Sequence, residues 1–350
     1  MDTEEKLDTL LSEPTEEVIT KDDLRVLLDS NDHPVHYIGL EISGMLHIGS
    51  YLLTSKKIND FYKIGAKTNI LLADWHTVAN NKMGGDWNRI IKAADWYKKL
   101  FALVCPHTNI ILGSELYKDN DEYWKTVIKM SSQITMARAT RTLIIEGRNE
   151  KDTLHVSQYI YPVMQAADIY ALDADIPHAG LDQRKVHMLA KELFESMEYK
   201  KIVPLHQHLL PSLLPPLTNL DGTKEEITAA LKMSKSKPGS AIRINMTPEE
   251  ISNTIKSAWC PEKVSENNPV LDICKYIIFP INGFILLERS SKYGGDITYY
   301  TYQDLESDYK AGKLHPIDLK QGVADALAKL LEPARNLLKG RENEIKEIFG

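Results

Sequence analysis

The spacing of apolar residues changes along the chain. In residues 2–32 it follows a helix: Leu7, Leu10 and Leu11 recur at i, i+3 and i+4, and Leu24, Leu27 and Leu28 repeat the pattern. Glu13-Pro14 interrupts the first run, and Thr20 followed three residues later by Asp23 has the form of a helix start. From residue 35 the apolar runs shorten. Val35–Leu40 reads as a buried strand, Asn69–Ala73 as a second, Asn109–Leu112 as a third and Ala174–His178 as a weaker fourth. Helical stretches such as 47–64 and 86–104 lie between them. This alternation predicts an α/β domain with a doubly wound parallel sheet. Ligands bind such sheets beyond the carboxyl ends of the strands, which places Tyr37–Glu41 and Ala73–His76 at the candidate site.

Residues 204–243 are rich in Pro, Leu, Ser and Lys and read as a connection with a mobile loop. After about residue 244 helical patterning dominates, with Val323, Leu327, Leu330 and Leu331 on one face. The expected division is an acidic helical extension over 1–32, an α/β domain over 33–225, a loop linker over 226–243 and a mainly helical domain over 244–350.

Composition adds little until charge is placed along the chain. With 350 residues, 43% hydrophobic and 26% charged, the sequence is that of an ordinary globular protein. Its net charge of −7 argues at first against a nucleic-acid partner. Residues 1–32, however, hold eleven acidic and three basic side chains, a balance of −8, so the other 318 residues sum to +1. Cys105, Cys260 and Cys274 have no metal-type spacing, which disfavours a disulfide framework or a zinc site. No run approaches the ~20 apolar residues that span a bilayer. The acidic start is unlike a signal peptide, so the expected compartment is the cytoplasm, with no membrane partner.

Two tracts carry phosphate chemistry. Ile42-Ser43-Gly44-Met45-Leu46-His47-Ile48-Gly49-Ser50 follows a strand and opens a helix, where glycines allow close backbone approach and the helix N-terminus attracts phosphate. Alone, it is equally an ordinary strand–turn–helix with a structural histidine. The second, Leu231-Lys232-Met233-Ser234-Lys235-Ser236-Lys237-Pro238-Gly239, lies in a stretch (231–243) with four basic residues and no acid. Such a loop can grip a polyphosphate; alone, it is more simply a solvated basic loop. A third pattern, Tyr161, Gln165 and Asp168 at i, i+4 and i+7, sets polar groups on one helix face.

In this order the two phosphate tracts resemble the signature pair of the class I aminoacyl-tRNA synthetases. With Tyr37 in Tyr-Ile-Gly-Leu-Glu, the Tyr161–Asp168 helix and Gly180-Leu181-Asp182-Gln183-Arg184, the chain resembles the archaeal and eukaryotic tyrosyl-tRNA synthetases from about residue 20 to 338. The resemblance implies a Rossmann-like catalytic domain, a helical anticodon-binding domain, and synthesis of tyrosyl-adenylate from L-tyrosine and ATP before transfer to tRNA(Tyr). It implies Tyr37, Ala73, His76, Tyr161, Gln165, Asp168 and Gln183 around tyrosine. Gly39, Glu41, His47, Gly49, Ser50, Gly180, Asp182, Lys232, Ser234, Lys235 and Ser236 would surround ATP, with His47, Gly49, Ser50, Lys232 and Lys235 assisting the chemistry. Mg²⁺ would accompany ATP, with no dedicated metal site on the protein. Ile42 stands where the family usually has proline, and Ser50 where it often has histidine. A serine hydroxyl can donate to phosphate but carries no charge.

The resemblance also implies that Arg138, Arg141 and Arg184 approach the acceptor stem, that Asp318 reads the first anticodon base, and that a homodimer contact lies near residues 110–150. Residues 125–151 hold six basic and two acidic side chains, a basic patch that suits phosphates. Asp318, close behind Pro316, is alternatively a helix N-cap. His206 and His208 lack a visible third ligand and are expected to be structural. The rival functions are a tryptophanyl-tRNA synthetase, a metabolite nucleotidylyltransferase and a non-catalytic synthetase-like RNA-binding protein.

Overall fold

The computed structural model describes residues 1–143, 155–216, 227, 230–234 and 237–350. Among the described residues six strands form the central sheet: β1 (Thr15–Val18), β2 (Val35–Glu41), β3 (Lys67–Ala73), β4 (Asn109–Leu112), β5 (Ile176–Gly180) and β6 (Leu205–Gln207), in the spatial order β1-β6-β5-β2-β3-β4. All neighbours run parallel except the edge pair β1–β6. The β2–β3 register pairs Val35 with Lys67 and Glu41 with Ala73, so both strands end level. The strands predicted at 35, 69, 109 and 174 all form, within two or three residues of the expected bounds.

Two strands of this sheet escaped the sequence reading. β6 has three residues, too few to show a period. β1 belongs to the acidic head, which is not a purely helical extension. Its helices α1 (Thr3–Leu11) and α2 (Lys21–Ser30) form as the leucine spacing requires, and Thr20 accepts the Asp23 N–H as N-cap. Leu7, Leu10, Leu24 and Leu28 then pack with Phe61 of the helix Thr54–Lys63, with Ile64 at its C-cap and with Ile176 of β5. The buried ammonium of Lys57 fastens this dock: it donates to the carbonyls of Leu10 at 3.0 Å and Ser12 at 3.1 Å, at the C-terminal end of α1. A cation there also meets the negative end of the helix dipole.

On the β2–β4 side, a π-helical turn (Gly49–Leu53) leads into α3 (Thr54–Lys63), and α4 (Asp74–Ala79) starts directly at the end of β3. α5 (Trp87–Val104) returns to β4, which runs into α6 (Gly113–Tyr117), α7 (Asp121–Ser131) and α8 (Met136–Leu143). α9 (Val156–Ala171) precedes β5, and α10 (Arg184–Ser196) follows it.

Beyond residue 244 come α11 (Pro248–Ser257), α12 (Pro269–Ile273), α13 (Phe279–Asn282), α14 (Tyr302–Lys310), α15 (Pro316–Leu330), α16 (Glu332–Leu338) and α17 (Glu342–Phe349). A small antiparallel hairpin, β7 (Ile285–Leu287) with β8 (Ile297–Tyr299), interrupts the helices and was not foreseen. Of the predicted apolar stripe, Val323, Leu327 and Leu331 are fully buried and Leu330 is half-buried. The core does not stop at residue 244. One apolar cluster runs from Ile38 through Ile242 to Ile348, and α17 folds back on α5, where Arg89 donates to the carbonyls of Ile348 and Gly350. Among the described residues no helix is long and apolar enough to cross a membrane.

Candidate active site

A polar cluster lies inside the apolar layer beside β2 and the end of β3. α9 turns Asp168 inward until it is 1% exposed, beside Tyr37 of β2 and His76 of α4. His76 lies edge-on to Tyr161, with ring centroids 4.6 Å apart, and its Nε2 is 3.6 Å from Asp168 Oδ2, beyond hydrogen-bond reach. Neither His76 nitrogen nor Asp168 Oδ2 has a hydrogen-bond partner among the described residues. Burial lowers the His76 pKa to about 4, so the ring is neutral. Burial raises Asp168 to about 7 against the opposing pull of two tyrosine hydrogen bonds. The close contact is therefore not an ion pair of two full charges. Gln165 is buried on the same helix, Ala73 caps the end of β3, and Gln183 closes a short turn after β5. The structure thus brings Tyr37, His76, Tyr161 and Asp168 to one place, with Ala73 and Gln165 about one helical turn or less along the chain from His76 and Asp168.

Two residues missed in the sequence complete that cluster. Tyr117 Oη and Tyr123 Oη each donate to Asp168 Oδ1 at 2.8 Å. They come from α6 and α7, whose junction has no periodic signature. Asp74 lies in the stretch placed at the site from sequence, which gave it no role: it accepts the Ser114 N–H at 2.9 Å and the Ser114 hydroxyl at 2.5 Å, which fixes where α6 begins. Only glycine fits beside it, because a Cβ on Gly113 would lie 2.8 Å from Asp74 Oδ1 and 3.1 Å from the Tyr117 ring.

The phosphate tracts meet across the chain. His47 and Arg243 form an antiparallel bridge, the Ile48 N–H donates to the Ile242 carbonyl, and the Ile244 N–H donates to the Leu46 carbonyl. His47 Nδ1 accepts the Gly49 N–H at 3.2 Å, which leaves the proton of the neutral ring on Nε2. Ser50 uses its hydroxyl on the backbone of His47, accepting from its N–H and donating to its carbonyl. Glu41, at the end of β2, accepts from the Asn80 amide. Lys232 Nζ donates to Asp182 Oδ2. The attraction of Asp182 holds the Lys232 pKa above its ordinary value. Gly180 gives Asp182 room, since a Cβ there would sit 2.7 Å from Asp182 Oδ1. Gly39 lies on β2, and Ser234 follows Met233 at the described edge of the loop. Lys235 and Ser236, like Arg148 and Lys151, lie outside the described residues.

The basic surface is less free than its sequence suggested. Arg138 makes a bidentate pair with Glu192 of α10, Arg184 pairs with Glu17 of β1, and Lys125 pairs with Asp121 and Glu122, which lie just outside the basic stretch. Arg141 is exposed and donates to the Ala137 carbonyl. Asp318 is not an N-cap: His315 takes that position and accepts the Ile317 N–H, leaving Asp318 in the first turn of α15. His206 shares hydrogen bonds with His187 and Glu17, and His208 with Glu16 and Asp272, so both serve as ties between elements.

Residues 29–332 match the family described as tRNA synthetases class I (W and Y). The chain is 42% identical to a tyrosine–tRNA ligase of Thermococcus sibiricus over 96% of its length and 95% of the relative's. It is 42% identical to the Saccharolobus solfataricus enzyme of the same name over 97% of its length and 94% of the relative's. The structure matches a Pyrococcus horikoshii tyrosyl-tRNA synthetase solved with L-tyrosine, with a TM-score of 0.90, 39% identity and coverage of 100% of this chain and 99% of that one. The chain therefore belongs to the class I tRNA synthetases of the tryptophan and tyrosine branch. Enzymes of this class use ATP as a substrate. Within the branch its activity is that of a tyrosine–tRNA ligase, with tyrosine and tRNA as the substrates joined; the tryptophan reading is not favoured.

Proposed function

We propose the following division of labour within that activity. Tyrosine enters with its phenol between Tyr37 and Asp168, beside Ala73 and His76, and its α-ammonium held by Tyr161, Gln165 and Gln183. ATP lies across the strand ends, with its ribose on Asp182 and its adenosine beside Gly39, Glu41 and Gly180. Its phosphates lie between the His47-Ile48-Gly49-Ser50 turn and the loop carrying Lys232, Ser234, Lys235 and Ser236. The tyrosine carboxylate oxygen attacks the α-phosphorus; that O–P bond forms as the bond to the bridging oxygen breaks and pyrophosphate leaves. No side-chain nucleophile is required. The site supplies alignment and donors against the developing charge.

The ribose hydroxyl of the tRNA end then attacks the adenylate carbonyl, and AMP leaves. Mg²⁺ would accompany ATP and offset the charge of its phosphates. Arg138, Arg141 and Arg184 receive the acceptor stem, with Arg138 and Arg184 first exchanging a glutamate partner for phosphate, and Asp318 of the C-terminal helical part reads the anticodon. The exposed Trp124, Ile128 and Met136 suit a contact between two copies in a homodimer. The cytoplasm, where tRNA is charged, is the compartment.

The observation that carries the amino-acid assignment is the Asp168 carboxylate, which is buried and has one oxygen without a partner among the described residues. A phenol satisfies that acceptor, and a phenyl ring leaves it desolvated and unpaired. ATP–pyrophosphate exchange with tyrosine, phenylalanine and tryptophan tests the reading. Exchange is expected with tyrosine, and equal exchange with either of the others would overturn it.

A further inference from the structure

The two hydrogen bonds to Asp168 are unevenly distributed. Tyr117 and Tyr123 both donate to Oδ1, and their rings stack at 4.2 Å with 26° between planes. Oδ2 receives no donor among the described residues. Tyr117 is 4% exposed and Tyr123 2%, so neither hydroxyl is there to meet water. Among the described residues, the other groups near the carboxylate supply no compensating cation: Tyr37 is a phenol, His76 is neutral, and Asp74 is a second acid that disfavours ionisation of Asp168. The two tyrosine hydroxyls are thus, among the described residues, the groups that favour a charged carboxylate there.

A carboxylate and a carboxylic acid treat a phenol differently. The carboxylate only accepts. The acid would carry its proton on Oδ2, because Oδ1 already accepts twice, and would present a donor to the pocket. A neutral acid also loses less when a phenyl ring leaves it unpaired. Selection of tyrosine over phenylalanine therefore depends on which form is present.

We propose that Tyr117 and Tyr123 are positioning residues for substrate selection, holding Asp168 ionised with Oδ2 as its open acceptor. The proposal rests on Asp168 being the phenol acceptor. The fold serves it: the Asp74–Ser114 hydrogen bonds and the narrow space at Gly113 fix the start of α6 and hence the place of Tyr117.

The test compares Tyr117→Phe, Tyr123→Phe, the double variant and Asp168→Asn in pyrophosphate exchange with tyrosine and phenylalanine, from about pH 6 to pH 8.5. Removing a donor to the charged form raises the Asp168 pKa. Each single variant should raise KM for tyrosine about tenfold at the acid end, as expected for one hydrogen bond to a charged group, with kcat nearly unchanged. Raising the pH should restore tyrosine binding and discrimination, and the double variant should need a higher pH than either single one. A loss of the same size at every pH would mean a merely structural role and would overturn the proposal. So would wild-type discrimination across the pH range in the double variant. Asp168→Asn separates the two layers: unchanged discrimination there removes the acceptor assignment itself, whereas lost discrimination there with wild-type behaviour in the tyrosine variants removes only the role of Tyr117 and Tyr123.

Discussion

Lys232 Nζ lies 2.5 Å from Asp182 Oδ2, so a loop lysine proposed for the ATP phosphates is held by the carboxylate proposed for the ribose. ATP binding at this site has to exchange that ion pair for two separate contacts. The lysine pKa is raised chiefly by this attraction, so it is charged throughout the neutral range. Lys232→Met is expected to slow pyrophosphate exchange about 100-fold, the order lost with one preorganised charge-stabilising donor. Equilibrium binding of tyrosine should stay within about twofold, since Lys232 does not line that pocket. Equal losses in exchange and tyrosine binding would contradict a phosphate role.

Asp168→Asn preserves shape but replaces a charged acceptor with an amide that must also place two donors. Tyrosine-dependent exchange is expected to fall, and the tyrosine-to-phenylalanine ratio of kcat/KM to drop by at least about tenfold. Steady-state exchange with both amino acids measures this directly.

His208 ties three parts of the chain together. It shares hydrogen bonds with Glu16 of the head and Asp272 of the C-terminal half, and its ring stacks on Tyr276 at 3.8 Å. Burial lowers its pKa, but bonds to Asp272 and Glu16 outweigh burial and the net shift is upward. A base with a raised folded-state pKa contributes stability that is complete below its unfolded value, near 6.5. That contribution fades as pH rises through the folded value. The Tm difference between the native chain and His208→Gln should be largest near about pH 6 and shrink toward about pH 8. A difference that stays constant or grows with pH would exclude this linkage.

Asp318 lies in the first turn of α15, far along the chain from the strand ends. Asp318→Ala is expected to leave pyrophosphate exchange unchanged and to lower tRNA aminoacylation about tenfold or more, as for loss of one base-edge contact. Melting temperature and exchange together check that the fold is intact; loss of both activities would assign Asp318 a folding role.

Much of the architecture was legible because it is local. The leucine spacing of α1 and α2 depends on neighbours within a turn, and the short apolar runs of β2, β3 and β4 on neighbours two residues apart. Lys232 and His47 could be singled out because their motifs are contiguous. β6 and the β7–β8 hairpin were not legible, since three-residue strands display no period and form only because a partner edge is present.

The sequence by itself determined the alternation of strands and helices, the two phosphate tracts, the polar face of α9 and, by resemblance, the family. Tertiary structure decided what each charge is used for. Glu17 reaches Arg184, Glu192 reaches Arg138 and Asp182 reaches Lys232 only once the chain has folded, so the basic residues counted along the sequence overstated the free basic surface. It also decided that the acidic head is part of the sheet, and that Tyr117 and Tyr123 close on Asp168 across 51 and 45 residues. Periodicity records which side of its own element a residue faces. Which group it meets there depends on how separate elements pack, and that is written in no single stretch of sequence.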